Sequence, residues 1–104
     1  MNTVTVCGNC TELVLRYTKG EKAVLSFSLA LNRKVNGEQV TTWVSCKAWE
    51  SLAENLATHC SKGDRLLVSG YLEQEEWEQD GEKKSRVVLV ANEAGKSLRW
   101  TKEA

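Results

Sequence analysis

Residues 41–54 read Thr41-Thr42-Trp43-Val44-Ser45-Cys46-Lys47-Ala48-Trp49-Glu50-Ser51-Leu52-Ala53-Glu54. The first half alternates. Val40, Thr42, Val44, Cys46 and Ala48 share one parity; Thr41, Trp43, Ser45, Lys47 and Trp49 share the other. A period of two predicts a strand with two distinct faces. The even face is small and mostly apolar, suited to a core. The odd face carries two tryptophans, two hydroxyls and a lysine that a core would leave unpaired. Flat aromatics beside a cation on a wet sheet face suit a flat, anionic ligand such as single-stranded nucleic acid. The plain alternative is a tryptophan packed under a helix or at a subunit contact.

The strand stops abruptly. Ser51-Leu52-Ala53-Glu54 has the form of a capping box, with Leu52, Leu56 and Cys60 as a helical apolar stripe beside Ala53 and Ala57. Gly63 is the expected helix stop. A long strand therefore feeds one short helix, and strand-like sequence resumes beyond it.

Working outward, Asn2 to Cys10 alternates, with Gly8 marking a bend or bulge, and the strand resumes through Leu13, Leu15 and Tyr17. Thr18 to Glu21 is a turn. Ala23 to Asn32 places Leu25, Phe27, Leu29 and Leu31 inside and Ser26, Ser28 and Asn32 outside. Asn36-Gly37 is a hairpin turn with Arg33 and Lys34 at its rim. After the helix, Arg65 to Trp77 turns Leu66, Val68 and Leu72 inward and shows Tyr71, Glu73, Glu75 and Trp77 on the other parity. Asp80-Gly81 is a second hairpin turn, leading into Ser85 to Ala91.

With 104 residues the chain is one domain, and its 14 basic and 14 acidic residues cancel. The distribution is uneven. Glu50 to Glu82 holds nine acidic residues against Lys62 and Arg65, while the flanks are basic. The start of the chain has no secretory pattern and no apolar run is of membrane-spanning length, so no membrane association and a cytoplasmic location are expected. Cys7, Cys10, Cys46 and Cys60 are then expected to be reduced, small buried hydrophobes. Cys7-Gly8-Asn9-Cys10 has metal-like spacing but no second close pair, and His59 is the single histidine. No metal or other cofactor is expected. No nucleophile elbow, phosphate loop or paired metal-ligand motif points to an enzyme.

Three strands, a helix and two strands is the order of an all-β OB-fold, a five-stranded Greek-key barrel with one short helix between strands 3 and 4. The residues carry the comparison further. Val6-Cys7-Gly8-Asn9, Leu15-Arg16-Tyr17-Thr18, Phe27-Ser28-Leu29-Ala30, Thr42-Trp43, Trp49 with Ser51-Leu52-Ala53-Glu54, Lys62-Gly63-Asp64-Arg65, Val68-Ser69-Gly70, Trp77 before Asp80-Gly81, and Ser97-Leu98-Arg99-Trp100 stand in order along the chain. Together they resemble the bacterial single-stranded DNA-binding protein (SSB) family, and around Leu98 its high-GC Gram-positive or phage members.

The resemblance implies sequence-independent binding and protection of single-stranded DNA in replication, recombination and repair. It implies base stacking on Trp43, Trp49 and Trp77. Phosphate contacts are expected from Lys47, Arg33, Lys34, Lys83, Lys84 and Arg86, on the Trp43 strand or at the two hairpins. It also implies a homotetramer, a dimer of dimers paired through strand 1, with a dimer as the alternative; Ser26, Ser28 and the outward side of Val88 and Val90 are read as its stacking face or else as plain wetted surface. Residues 1–104 are expected to form a single DNA-binding domain in a nucleoid-associated protein. With no C-terminal acidic tail in the sequence, tail-mediated replication partners are not expected. Glu73-Gln74-Glu75-Glu76-Trp77-Glu78 departs from the family in being acidic where relatives are often basic. The alternative is a protein–protein module of a primosome or replication complex on the same fold, with weak DNA binding.

Overall fold

The computed structural model describes residues 1–99; Trp100 lies outside them. The elements are β1 (Val4–Cys10), β2 (Val14–Tyr17), β3 (Ala23–Val35), β4 (Glu38–Trp49), α1 (Glu50–His59), β5 (Arg65–Gln79) and β6 (Glu82–Lys96). β1 and β2 are two halves of one bent strand. Both run antiparallel along β3, pairing Cys10 with Leu29 and then Val14 with Ser26, so the first strand gains one residue at the break. Thr11 holds the break together. Its N–H donates to the Ser28 carbonyl (2.9 Å) and its hydroxyl accepts from the Ser28 N–H (2.8 Å).

Counted this way, five strands close on themselves in the order β1-β5-β6-β4-β3, with β1 returning to β3. Only the β4–β6 contact is parallel, at Cys46↔Leu89 and Lys47↔Val90. The helix lies between the third and fourth strands, as the sequence pattern requires. Asn36 and Gly37, and likewise Asp80 and Gly81, all have positive φ, the signature of type I′ turns. These turns keep both hairpins paired to their tips, so β3, β5 and β6 outrun their expected ends.

The core is built from inward rows. Leu25, Leu29, Leu66, Val68 and Leu89 are fully buried, each worth roughly 1.5–3 kcal/mol relative to exposure. α1 packs Ala53 and Leu56 onto the same cluster. Among the described residues no helix is long and apolar enough to cross a membrane.

Several local expectations are corrected. The Ser51–Glu54 capping box does not form. The helix begins at Glu50, itself at a positive φ of 56°, with Trp49 as an N-cap that makes no side-chain bond. Glu54 instead accepts from the Tyr17 hydroxyl at 3.0 Å. Gly63 is not the helix stop, because the helix ends at His59 and Cys60 is extended. Its positive φ serves the following turn, where Asp64 bonds back to Ser61 and the Gly63 N–H donates to the Cys10 carbonyl. Gly8 marks no bend, since the β1–β5 ladder runs through it without a shift. A Cβ there would collide with the Ala30 carbonyl where β1 meets β3. Leu72 keeps its inward parity, opposite the buried Leu89, yet is 42 % exposed. Past the Leu72↔Leu89 pair the β5–β6 hairpin runs on as an arm, so Leu72 sits at the margin of the core.

Gly70 is the tightest contact, because a Cβ would fall onto the Val90 carbonyl. The β5–β6 register shift sits beside it, between Ser69 and Gly70. Gly70→Ala is expected to lower unfolding stability by at least about 2 kcal/mol through overpacking. Gly95→Ala, whose added Cβ would meet nothing within 4 Å, should be close to neutral. Denaturant unfolding of the two variants checks the contrast.

Candidate nucleic-acid interface

The β3–β4 register builds the exposed face. Trp43 lies opposite Ala30, Ser45 opposite Ser28, Lys47 opposite Ser26 and Trp49 opposite Val24. Small cross-strand partners cannot cover large rings, so Trp43 is 64 % and Trp49 36 % exposed. The sheet continues sideways through β6 and β5. Lys47 pairs with Val90, and Val90 with Tyr71, giving one row of same-face residues across three strands. Farther along the arm come Glu75↔Arg86 and Trp77↔Lys84, with Trp77 41 % exposed.

This geometry removes Val88 and Val90 from any outward stacking face. They are 2 % and 5 % exposed, in the middle strand with β4 on one side and β5 on the other. Ser26 and Ser28 are half-buried and lie in the same rows as Lys47 and Ser45, on the tryptophan face itself.

The charges on this face are interlocked. The Lys47 ammonium donates to Glu75 Oε2 and lies 3.7 Å from Glu73 Oε1. It also stands over the Trp49 ring, 5.4 Å from its centroid, and its side chain is only 14 % exposed. The other Glu75 oxygen accepts from Arg86 Nε at 3.1 Å, and the Arg86 guanidinium lies 5.7 Å from the Trp77 ring. One carboxylate thus ties together two cations, each stacked on a tryptophan. The Lys47 hydrogen bond pulls the Glu75 carboxyl below its ordinary pKa, partial burial opposes this, and Arg86 adds to the lowering.

The remaining expected cations divide by position. Lys84 shares the Trp77 face and pairs with Glu82 at 3.3 Å in an exposed contact worth little. Lys34 shares the tryptophan parity on β3, at the far hairpin, and is exposed. Arg33 and Lys83 have the opposite parity and face the other sides of their hairpins. Trp49, Lys47, Arg86, Trp77 and Lys84 therefore gather along one line. Trp43 extends it on β4, and Arg33, Lys34 and Lys83 stand apart.

Tyr71, 37 % exposed, belongs to this face and was legible from its shared parity with Trp77. Glu75 as the partner of Lys47 was not, because 28 residues of chain separate them. Cys7 and Cys10 point to opposite sides of β1, as residues three apart on a strand must. Cys10 is buried, its thiol bonding the Ser61 carbonyl at 3.2 Å, and Cys7 is half-buried. Burial pushes the Cys46 thiol up to about 12. Among the described residues no group of three or more His, Cys, Asp or Glu is placed to hold a metal ion.

The comparisons agree with this architecture. Residues 1–97 match the model of the single-strand binding protein family. The single-stranded DNA-binding protein of Mycobacterium tuberculosis is 34% identical over 107 residues, covering 94% of this chain and 65% of that protein. That of Aquifex aeolicus is 38% identical over 97 residues, covering 88% and 66%. The chain thus spans just under two thirds of the length of these relatives. A solved Plasmodium falciparum SSB complex with ssDNA superposes with a TM-score of 0.80 at 20% identity, covering 91% of each chain, and so shares the fold. The barrel, the family match over residues 1–97 and the high-GC Gram-positive relatives, among them Mycobacterium and Paenarthrobacter, lead to one assignment: the chain belongs to the single-strand binding protein family.

Proposed function

We propose that this protein binds and protects single-stranded DNA without sequence preference, in replication, recombination and repair, and that it acts as a binder rather than an enzyme. The observation that carries the reading is the row of exposed rings. Trp43, Trp49 and Trp77 stand partly exposed on one sheet face, the last two with a cation over the ring. Leaving three large rings in water is unfavourable unless a ligand covers them, and every base has a π-face to offer. Trp43 and Trp49 each take a base, about six strand residues apart on β4, Trp77 continues the track along the arm, and Tyr71 widens it. Lys34, Lys47, Lys84 and Arg86 hold phosphates on this face; Arg33 and Lys83 serve strand wrapping around the hairpin rims. One barrel within residues 1–104 is the DNA-binding domain of a cytoplasmic, nucleoid-associated protein.

Assembly follows from β1. Val4 to Cys7 have ladder partners on β5, while only Asn9 and Cys10 reach β3. The open edge suits pairing with the same strand of a second copy across a two-fold axis. Two such dimers make the homotetramer, in which neutral chains join their cation-bearing faces into longer tracks.

Trp43→Ala and Trp49→Ala are each expected to weaken oligo(dT) binding by on the order of 1–3 kcal/mol with the fold retained. Tryptophan fluorescence titration checks this, and wild-type affinity in both variants refutes the stacking role. Lys34→Ala should flatten the dependence of log K on log salt by about 0.7, the contribution of one phosphate contact on a single strand. Light scattering should return a tetramer at micromolar concentration. A monomer there would overturn the assembly.

A further inference from the structure

Glu75 holds a position that belongs, chemically, to the ligand. Its two oxygens face two cations on different strands, Lys47 of β4 and Arg86 of β6. Each cation is in turn stacked on a tryptophan, Trp49 and Trp77 respectively. A phosphate seated between bases on those two rings would present the same anionic oxygens to the same donors. We infer that Glu75 is an internal stand-in for a backbone phosphate, displaced when single-stranded DNA binds, and that it sets the protein's affinity and salt dependence.

The inference rests on the single-strand-binding reading and adds a residue that limits it. Lys47 is nearly covered and already neutralised, so it reaches DNA only by exchanging one anion for another. In that exchange the freed Glu75 carboxylate attracts solution cations, which offsets the counterions released from the DNA phosphates. The arrangement also keeps both cations aimed at the face while no DNA is present. A neutral chain thereby avoids an open cationic strip that would hold any polyanion. Glu73, 3.7 Å from the same ammonium, supports the pairing from the next same-face position. Glu76 offers an internal control. It has the opposite parity on β5, opposite Ser85, and is exposed.

The test is a salt series of fluorescence titrations with oligo(dT) on the wild-type chain, Glu75→Gln, Glu76→Gln and the double variant Glu75→Gln/Lys47→Ala. Glu75→Gln keeps the side-chain volume and is expected to bind about tenfold tighter at low salt, the scale of one charge-assisted hydrogen bond. Its salt slope should steepen by about 0.7 for each cation released. Adding Lys47→Ala should remove one such step. Glu76→Gln makes the same change in net charge and should leave the slope of the wild type. If the amide disturbs the arm in circular dichroism, Glu75→Ala replaces it. Wild-type binding with Glu75→Gln equal or weaker would overturn the inference and leave the DNA-binding reading standing, since the carboxylate would then be scaffold or bystander. Equal tightening by Glu76→Gln would also overturn it, reducing the effect to net charge. Absence of binding in every variant at low salt would end both.

Discussion

The antiparallel ladder between β3 and β4, from Val24↔Trp49 to Val35↔Glu38, is the constraint on which the rest depends. Its register turns Leu25, Phe27 and Leu29 inward together with Cys46 and Ala48. The same register necessarily turns Trp43, Lys47 and Trp49 outward, because successive side chains alternate. A slip of one residue would exchange the two sets, burying a lysine and exposing leucines. The Asn36-Gly37 turn blocks that slip, since both residues take the positive φ that a two-residue loop with the right twist demands. Core and candidate interface are thus two consequences of one pairing.

Closing the sheet imposes a different demand. A five-stranded barrel brings backbones close where strands cross, and two glycines sit at these contacts. Gly8 makes room for the Ala30 carbonyl and Gly70 for that of Val90. Beside Gly70 the β5–β6 ladder shifts, and past the Leu72↔Leu89 pair the hairpin runs on beyond the β4–β6 contact. There the arm carries Trp77, Glu75 and Arg86 next to the β4 face while adding no residue to the core cluster. Stability and binding surface are in this way assigned to different ends of the same two strands.

Electrostatics link those ends. The chain is neutral overall, so attraction for a polyanion has to come from local arrangement rather than total charge. The acidic run on β5 is not simply a solvated face. Glu73 and Glu75 alternate with Gln74 and Glu76, so only the first pair turns toward Lys47, and the second pair faces away. The cations of the tryptophan face are consequently present but engaged.

Period-two alternation, two Gly-containing hairpin signals and the order of strands and helix were legible in the chain itself, because each depends on residues within a few positions of one another. They sufficed for the barrel, the inward leucines and the shared face of Trp43 and Trp49. Local rules failed where a distant segment competed. The Ser51–Glu54 capping box lost Glu54 to Tyr17, 37 positions earlier. Leu72 kept its inward parity but lies at the half-open margin of the core, and Val88 and Val90 became buried on a face that alternation alone would call exposed. The pairing of Glu75 with Lys47 and Arg86 was beyond any reading of pattern. It exists because barrel closure lays β6 parallel to β4 and brings β5 alongside, and only that three-strand neighbourhood decides which charges meet.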